Sequence, residues 1–214
     1  MLSRLIERLE NGFEVAGTRV AAARTWRGRF PEEVNLDLHV EGAGHLCFVK
    51  VYKGWGRYYR PWVELSGITE PDGSKKVRYY GGPIEEALLS VLAEPLGPAG
   101  RLFVSYAGDL ETARALQRGA PPASTRLGSK LFALGFTWFK DWYFPEGFKE
   151  GGEKLQAEKP ASEQARARHL GKLREELEAF VAGRHRGSGR PARNDPLASA
   201  AERARRLLEQ IGRQ

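Results

Sequence analysis

The sequence predicts an α/β domain with a mixed, mostly antiparallel sheet flanked by helices, followed by a basic helical tail. Three observations predict it. Segments with the two-residue period of strands come first, and segments with the helical period alternate with strands from Pro83 onward. Prolines and glycines punctuate the chain between them. Past about Pro160 the strand pattern stops, and charged stretches carrying one apolar stripe take over. The expected organisation is an α/β domain over residues 1–160 and an amphipathic helix over 161–182, packed on or next to it. A flexible Arg/Gly-rich linker over 183–196 and a last amphipathic helix over 197–214 complete it.

Leu2 to Glu10 reads as a short helix, because Leu2, Leu5, Ile6 and Leu9 fall on one stripe and Gly12 stands where a C-cap belongs. Phe13 to Trp26, rich in Val, Thr and Ala, is one strand or two short ones. Val34, Leu36, Leu38 and Val40 alternate with polar residues, Glu41 to Gly44 is a turn, and His45 to Tyr52 returns as a more apolar strand. On that strand His45 is expected to share a face with Cys47. Trp62 to Leu65 and Lys76 to Tyr80 read as further strands around a Pro-Asp-Gly-Ser turn. Pro83, at a first helical position before Glu85 and Glu86, opens a helix. Arg101 to Tyr106 is a strand, Asp109 caps a helix through about Arg118, and Ser124 is positioned to cap the next, which ends at Gly135. Thr137 to Phe144 alternates again and places Trp138, Lys140, Trp142 and Phe144 on one face.

In the tail, Leu170, Leu173, Leu177, Phe180 and Val181 form one stripe. Gly183 to Arg193 has four Arg, three Gly and no acid, the composition of a flexible linker. Asp195 and Pro196 then start a helix whose apolar side is Leu197, Ala201, Ala204, Leu208 and Ile211. Stripes of this kind need a partner surface, so oligomerisation is one expected role.

Composition bounds the function. Hydrophobic residues are 41% of 214, which fits a core with a polar extension. No apolar run is long enough for a membrane span, and the charged first residues lack the apolar centre of a signal peptide, so a cytoplasmic protein is expected. Cys47 is the only cysteine, which excludes an intramolecular disulfide and a Cys-based metal site. The net charge is +7, and the segment from Gly151 onward, with 14 Lys/Arg against 9 Asp/Glu, holds most of that excess. The basicity therefore belongs to the tail, a possible contact for nucleic acid through Arg184, Arg186, Arg190 and Arg193.

Four stretches carry candidate chemistry. Tyr79-Tyr80-Gly81-Gly82-Pro83 joins a strand to a helix whose free N–H groups can hold a phosphate, although a structural turn explains the same residues and no Walker A pattern is present. Lys53 to Trp62 interleaves cations with aromatics, which suits stacking on bases but also suits a loop with its rings on the core edge. His39 and His45 make only two ligands, too few for a metal, and none is expected. After Pro145, the loop from Glu146 to Lys159 offers Glu146, Glu150, Glu153 and Glu158 beside the aromatic wall of Trp142 and Tyr143. A carboxylate held there would gain basicity.

Ser124 to Phe136, Phe139 to Gly147 and Glu150 to Pro160 carry a resemblance. The pattern SxLGxxLFxLGF, FKDWYFPEG and EGGEKLQAEKP resembles the family catalogued as domain of unknown function 1122. That family looks related to the GNAT (Gcn5-related N-acetyltransferase) superfamily. The resemblance implies a mixed sheet splayed near its middle, acetyl-CoA or another acyl-CoA in the gap, and the pyrophosphate on a helix N-terminus. It implies transfer of an acyl group to a small-molecule or peptide amine. Tyr80, Gly81, Gly82 and Ile84 would then contact the cofactor, and Lys140, Asp141, Trp142, Glu153 and Lys154 would line the acceptor side. Glu146 or Glu150 would take the amine proton. The superfamily's loop pattern Arg/Gln-x-x-Gly-x-Gly/Ala is absent, and its acid tyrosine aligns with Leu131, so Tyr143 or Tyr106 would replace that acid.

Overall fold

The computed structural model describes residues 2–54, 60–69, 79, 81–142, 153–184 and 195–213. The chain divides into two compact units, Met1–Gly108 and Asp109–Gln214. The fold is mixed α/β: the described residues hold eight strands and six α-helices.

The first unit opens with α1 (Leu2–Asn11), whose buried stripe is the predicted Leu2, Leu5, Ile6 and Leu9. Five strands follow: β1 (Phe13–Val15), β2 (Thr18–Arg27), β3 (Glu33–Val40), β4 (Gly44–Tyr52) and β5 (Trp62–Leu65). Each pairs antiparallel with the next. The helix α2 (Pro83–Ala93) then carries the chain to β6 (Arg101–Ser105), which pairs parallel with β5. A parallel pair needs such a crossover, because its second strand must start at the same end as its first. The predicted strand Lys76 to Tyr80 falls outside the described residues except for Tyr79, which is buried and not in a strand.

One face of this sheet is closed. Leu36, Leu38, Cys47, Val49, Val51, Val63, Leu65 and Leu102 are all fully buried. Removing side chains of this size from water contributes about 1.5–3 kcal/mol each. The opposite face is polar and aromatic and stays half-open: Tyr52 stacks on Trp62 with ring centroids 5.5 Å apart, and Phe103 meets Trp62 edge-on at 6.0 Å.

The second unit contains α3 (Leu110–Gln117), a 3-10 turn over Pro122–Ser124, α4 (Arg126–Ala133), the antiparallel strands β7 (Trp138–Trp142) and β8 (Lys154–Glu158), α5 (Glu163–Arg184) and α6 (Pro196–Gly212). Asp109 caps α3 as predicted, accepting the Thr112 N–H at 3.2 Å. The cap of α4 is Thr125 rather than Ser124. Its hydroxyl accepts the Gly128 N–H at 3.0 Å, while the Ser124 hydroxyl donates to the Pro121 carbonyl. The 3-10 turn takes up Ser124 and moves the helix start along by one residue.

Both tail stripes find their surface inside the unit. Leu170, Leu173 and Leu177 of α5 pack with Ala204 and Leu207 of α6 around Ala123 and Phe132. Polar contacts hold α6 in register: Arg203 Nε donates to the Ser124 carbonyl at 2.8 Å, and Arg118 meets Asp195 at 2.8 Å. The apolar faces that suggested oligomerisation are thus largely covered by the same chain. Among the described residues no helix is long and apolar enough to cross a membrane.

Candidate functional site

The crossover from β5 to β6 carries two of the expected groups, the Gly81-Gly82 turn before α2 and Tyr106 after β6. In a parallel pair, ligands bind at the carboxyl ends of the strands, where the following helix begins. The Gly81-Gly82 turn leads into α2, the crossover helix, and Tyr106 follows the last residue of β6 at its carboxyl end. Gly81 has φ +74°, a left-handed conformation that a β-carbon would strain. Its N–H donates to Glu85 Oε2 at 2.9 Å, and the Gly82 N–H points at the Tyr79 carbonyl at 3.3 Å. Both N–H groups expected to meet phosphate are therefore engaged within the chain. Ile84, Glu85, Tyr79 and Tyr106 are all buried, so Ile84 serves the core as well as the helix start. Tyr80 lies outside the described residues.

In the second unit the β7–β8 pair carries the expected acceptor side. Lys140 Nζ sits 3.8 Å from the centroid of the Trp142 ring, which confirms that the two share a face. Trp142 Nε1–H donates to Gln156 Oε1 at 2.7 Å, and Lys154 stands opposite Trp142 while Asp141 stands opposite Leu155. Glu153 is half-buried just before β8. Tyr143, Glu146 and Glu150 lie outside the described residues, as do residues 55–59 of the basic loop and Arg186, Arg190 and Arg193. Beneath this pair, Thr137, Trp138, Phe139, His169, Lys172 and Glu176 line a small, half-open pocket of about 30 Å³. His169 Nδ1 is 3.1 Å from the Thr137 hydroxyl. Burial lowers the His169 pKa, opposed by the Glu158 charge and assisted by Arg168. Burial also lowers the pKa of Lys159, whose Nζ lies 5.5 Å from the Phe136 ring centroid.

The β3–β4 pair holds a constellation that the sequence reading had incomplete. Leu38 pairs with Cys47, but His39 pairs with His45, so β4 carries one extra residue at this point. This β-bulge changes which face the following side chains take. Cys47 goes into the closed face, where burial pushes its thiol pKa far up, with the Asp37 charge adding to the effect. His45 instead joins Phe48, with ring centroids 4.6 Å apart. The expectation that His45 and Cys47 share a face is overturned by that single inserted residue. Asp37, two residues before His39 on β3, completes the group. Its Oδ1 lies 2.7 Å from His45 Nδ1 and 3.2 Å from His39 Nε2.

The match to known proteins follows the fold. The family described as "Protein of unknown function (DUF1122)" matches residues 16–184. The chain belongs to this family. The chain is also similar to a crystal structure, that of the protein of unknown function AQ1966 from Aquifex aeolicus VF5, at 38% identity and a TM-score of 0.79. The alignment covers 97% of this chain and 98% of that one. No curated protein matches. The DUF1122 span contains the Asp37, His39 and His45 group, the head of α2, Tyr106 and the β7–β8 pair; α6 lies beyond it.

Asp37 is the residue that sequence reasoning missed. Its signal was present in the alternation of β3, which puts Asp37 and His39 on one face. What hid the group was the bulge, since Leu46 and Cys47 are both apolar and nothing in their identity marks an extra residue.

Proposed function

We propose that the protein binds an acyl-coenzyme A and transfers its acyl group to an amine. The observation that carries this reading is the parallel β5–β6 pair with α2 as its crossover, because that helix opens on a glycine turn and a buried tyrosine follows the second strand. The sequence departs from the superfamily's loop pattern, since Pro83 stands where the last Gly or Ala of Arg78-Tyr79-Tyr80-Gly81-Gly82-Pro83 would belong. Binding there requires the Gly81 N–H to exchange the Glu85 carboxyl oxygen it holds for a ligand atom.

In this reading the acyl thioester supplies the activated carbonyl. The amine nitrogen attacks that carbon, a base takes the amine proton, and the thiolate leaves and is protonated. Tyr106, buried just past the end of β6, is the candidate acid that protonates the thiolate. Calorimetric titration with acetyl-coenzyme A tests the reading. The expected result is saturable binding that weakens with a longer loop deletion across Gly81-Gly82, and turnover that falls in Tyr106→Phe while binding persists. No heat and no thermal shift at millimolar ligand overturns it.

A further inference from the structure

We infer that Asp37, His39 and His45 form a binding site for one divalent transition-metal ion, independent of the acyl-transfer reading. The donor set is the first reason. Two imidazoles and one carboxylate are the ligands that zinc-like and iron-like ions take in sites that keep a position open for water or substrate. Calcium and magnesium require more oxygen donors than this group offers.

Geometry is the second reason. Asp37 Oδ1, His39 Nε2 and His45 Nδ1 all lie within 4.8 Å of one another. Ligands about 2.1 Å from a tetrahedral centre stand about 3.4 Å apart. The two separations to Oδ1, 2.7 and 3.2 Å, are close to that value, so small side-chain rotations open the group around an ion. Access is the third reason: the side chains of His39, His45 and Asp37 are 39%, 33% and 23% exposed, which leaves the outward position open.

The backbone supports the same conclusion. Without the bulge, His39 would face Leu46 and the triad would not exist. Bulges are recurrent devices for re-aiming a side chain at a site. The surroundings brace the ligands. The Phe48 ring lies against His45, and Trp26 meets Phe48 edge-on at 6.2 Å. Arg24, opposite Asp37 on β2, has its guanidinium carbon 5.4 Å from the Trp26 ring centroid, a contact that directs its charge toward the indole.

Cobalt(II) is the probe, because its visible absorption reports coordination directly. Untagged full-length protein, stripped with a chelator, is titrated with cobalt(II) and then with zinc(II). A visible band that saturates at one equivalent and is displaced by zinc is expected. Asp37→Asn and His45→Gln should each weaken binding at least tenfold, since even partners of metal ligands are worth tenfold to a hundredfold. His169→Gln, which removes an imidazole from the other unit, should leave it unchanged. His39→Gln, a substitution at a half-exposed position, tests the third ligand with little risk to folding, and circular dichroism checks each variant. Absence of a one-equivalent site, or affinity unchanged in both Asp37→Asn and His45→Gln, overturns the inference.

Discussion

The tightest backbone approach available for testing lies at Gly128, and it sets two physical effects against each other. Gly128 sits in the first turn of α4 and is buried. Helix propensity alone says that Gly128→Ala stabilises, by roughly 0.8–1.0 kcal/mol. Packing says the reverse. An added β-carbon would lie 1.9 Å from the Pro122 carbonyl oxygen and 2.8–2.9 Å from the Pro122 carbonyl carbon and Ala123 Cα. These are backbone atoms, so no rotamer change relieves the overlap. The same carbonyl accepts the Thr125 hydroxyl at 2.7 Å and the Thr125 N–H at 3.2 Å, so displacing it disturbs the cap of α4. Overpacking of this kind costs about 1–3 kcal/mol, and loss of a cap about 1 kcal/mol. After the propensity gain is subtracted, a net loss of about 1–3 kcal/mol is expected. At about 2–4 °C per kcal/mol for a chain of this size, Tm should fall by roughly 2–12 °C. Gly171→Ala is the matched control: Gly171 lies mid-helix in α5, and its added β-carbon meets nothing within 4 Å. That variant should gain roughly 0.5–1 kcal/mol. Thermal and urea unfolding by far-UV circular dichroism, with hydrogen exchange across α4, read both. A Gly128→Ala protein as stable as its parent would refute the packing argument.

Two further outcomes follow from the second unit. Asp109→Ala removes both the α3 cap and the partner of Arg126, whose Nη2 and Nε reach Asp109 Oδ2 at 2.7 and 3.1 Å. Because Asp109 is buried, a loss of about 3 kcal/mol is expected in urea unfolding, and one below about 1 kcal/mol would show that the pair is dispensable. His169 has a pKa held below 6.5 by burial, so the unfolded chain takes up its proton at a higher pH than the folded chain does. Stability from this group is therefore intact above about pH 6.5 and lost as pH falls below it. The parent should lose more stability than His169→Gln on mild acidification, and an NMR titration midpoint at or above 6.5 would sink the explanation.

Much of the fold was legible in side-chain period and capping chemistry. The alternation of Leu36, Leu38 and Val40 fixed the buried face of β3, and Asp109, Asp195 and Pro83 marked real helix starts. These are local signals, set by a few consecutive residues. The misses were not local. Thr125 displaced Ser124 as a cap because a 3-10 turn intervened. The surface that the α5 and α6 stripes cover was illegible, since periodicity defines an apolar stripe but not what meets it. The metal candidate was missed for a related reason: register depends on two strands at once, and the extra residue of β4 is invisible in either strand alone.

The two sites proposed for the first unit place opposite demands on the same sheet, and that makes them separable. The strand faces differ in access: the residues at the head of α2 and the end of β6 are buried, with Ile84 4% and Tyr106 2% exposed. Acyl-coenzyme A binding there requires that turn to exchange the Glu85 carboxyl group for the ligand, so it should be coupled to a change around Gly81. The Asp37, His39 and His45 group already faces solvent and needs only side-chain rotation. Hydrogen exchange distinguishes them. Acetyl-coenzyme A should alter protection at residues 81–86 and leave β3 and β4 unaffected, whereas cobalt(II) should protect the β3–β4 bulge and leave residues 81–86 unaffected. A response of both regions to either ligand would mean that the sites are linked through the sheet, and would require the ligands to be studied together.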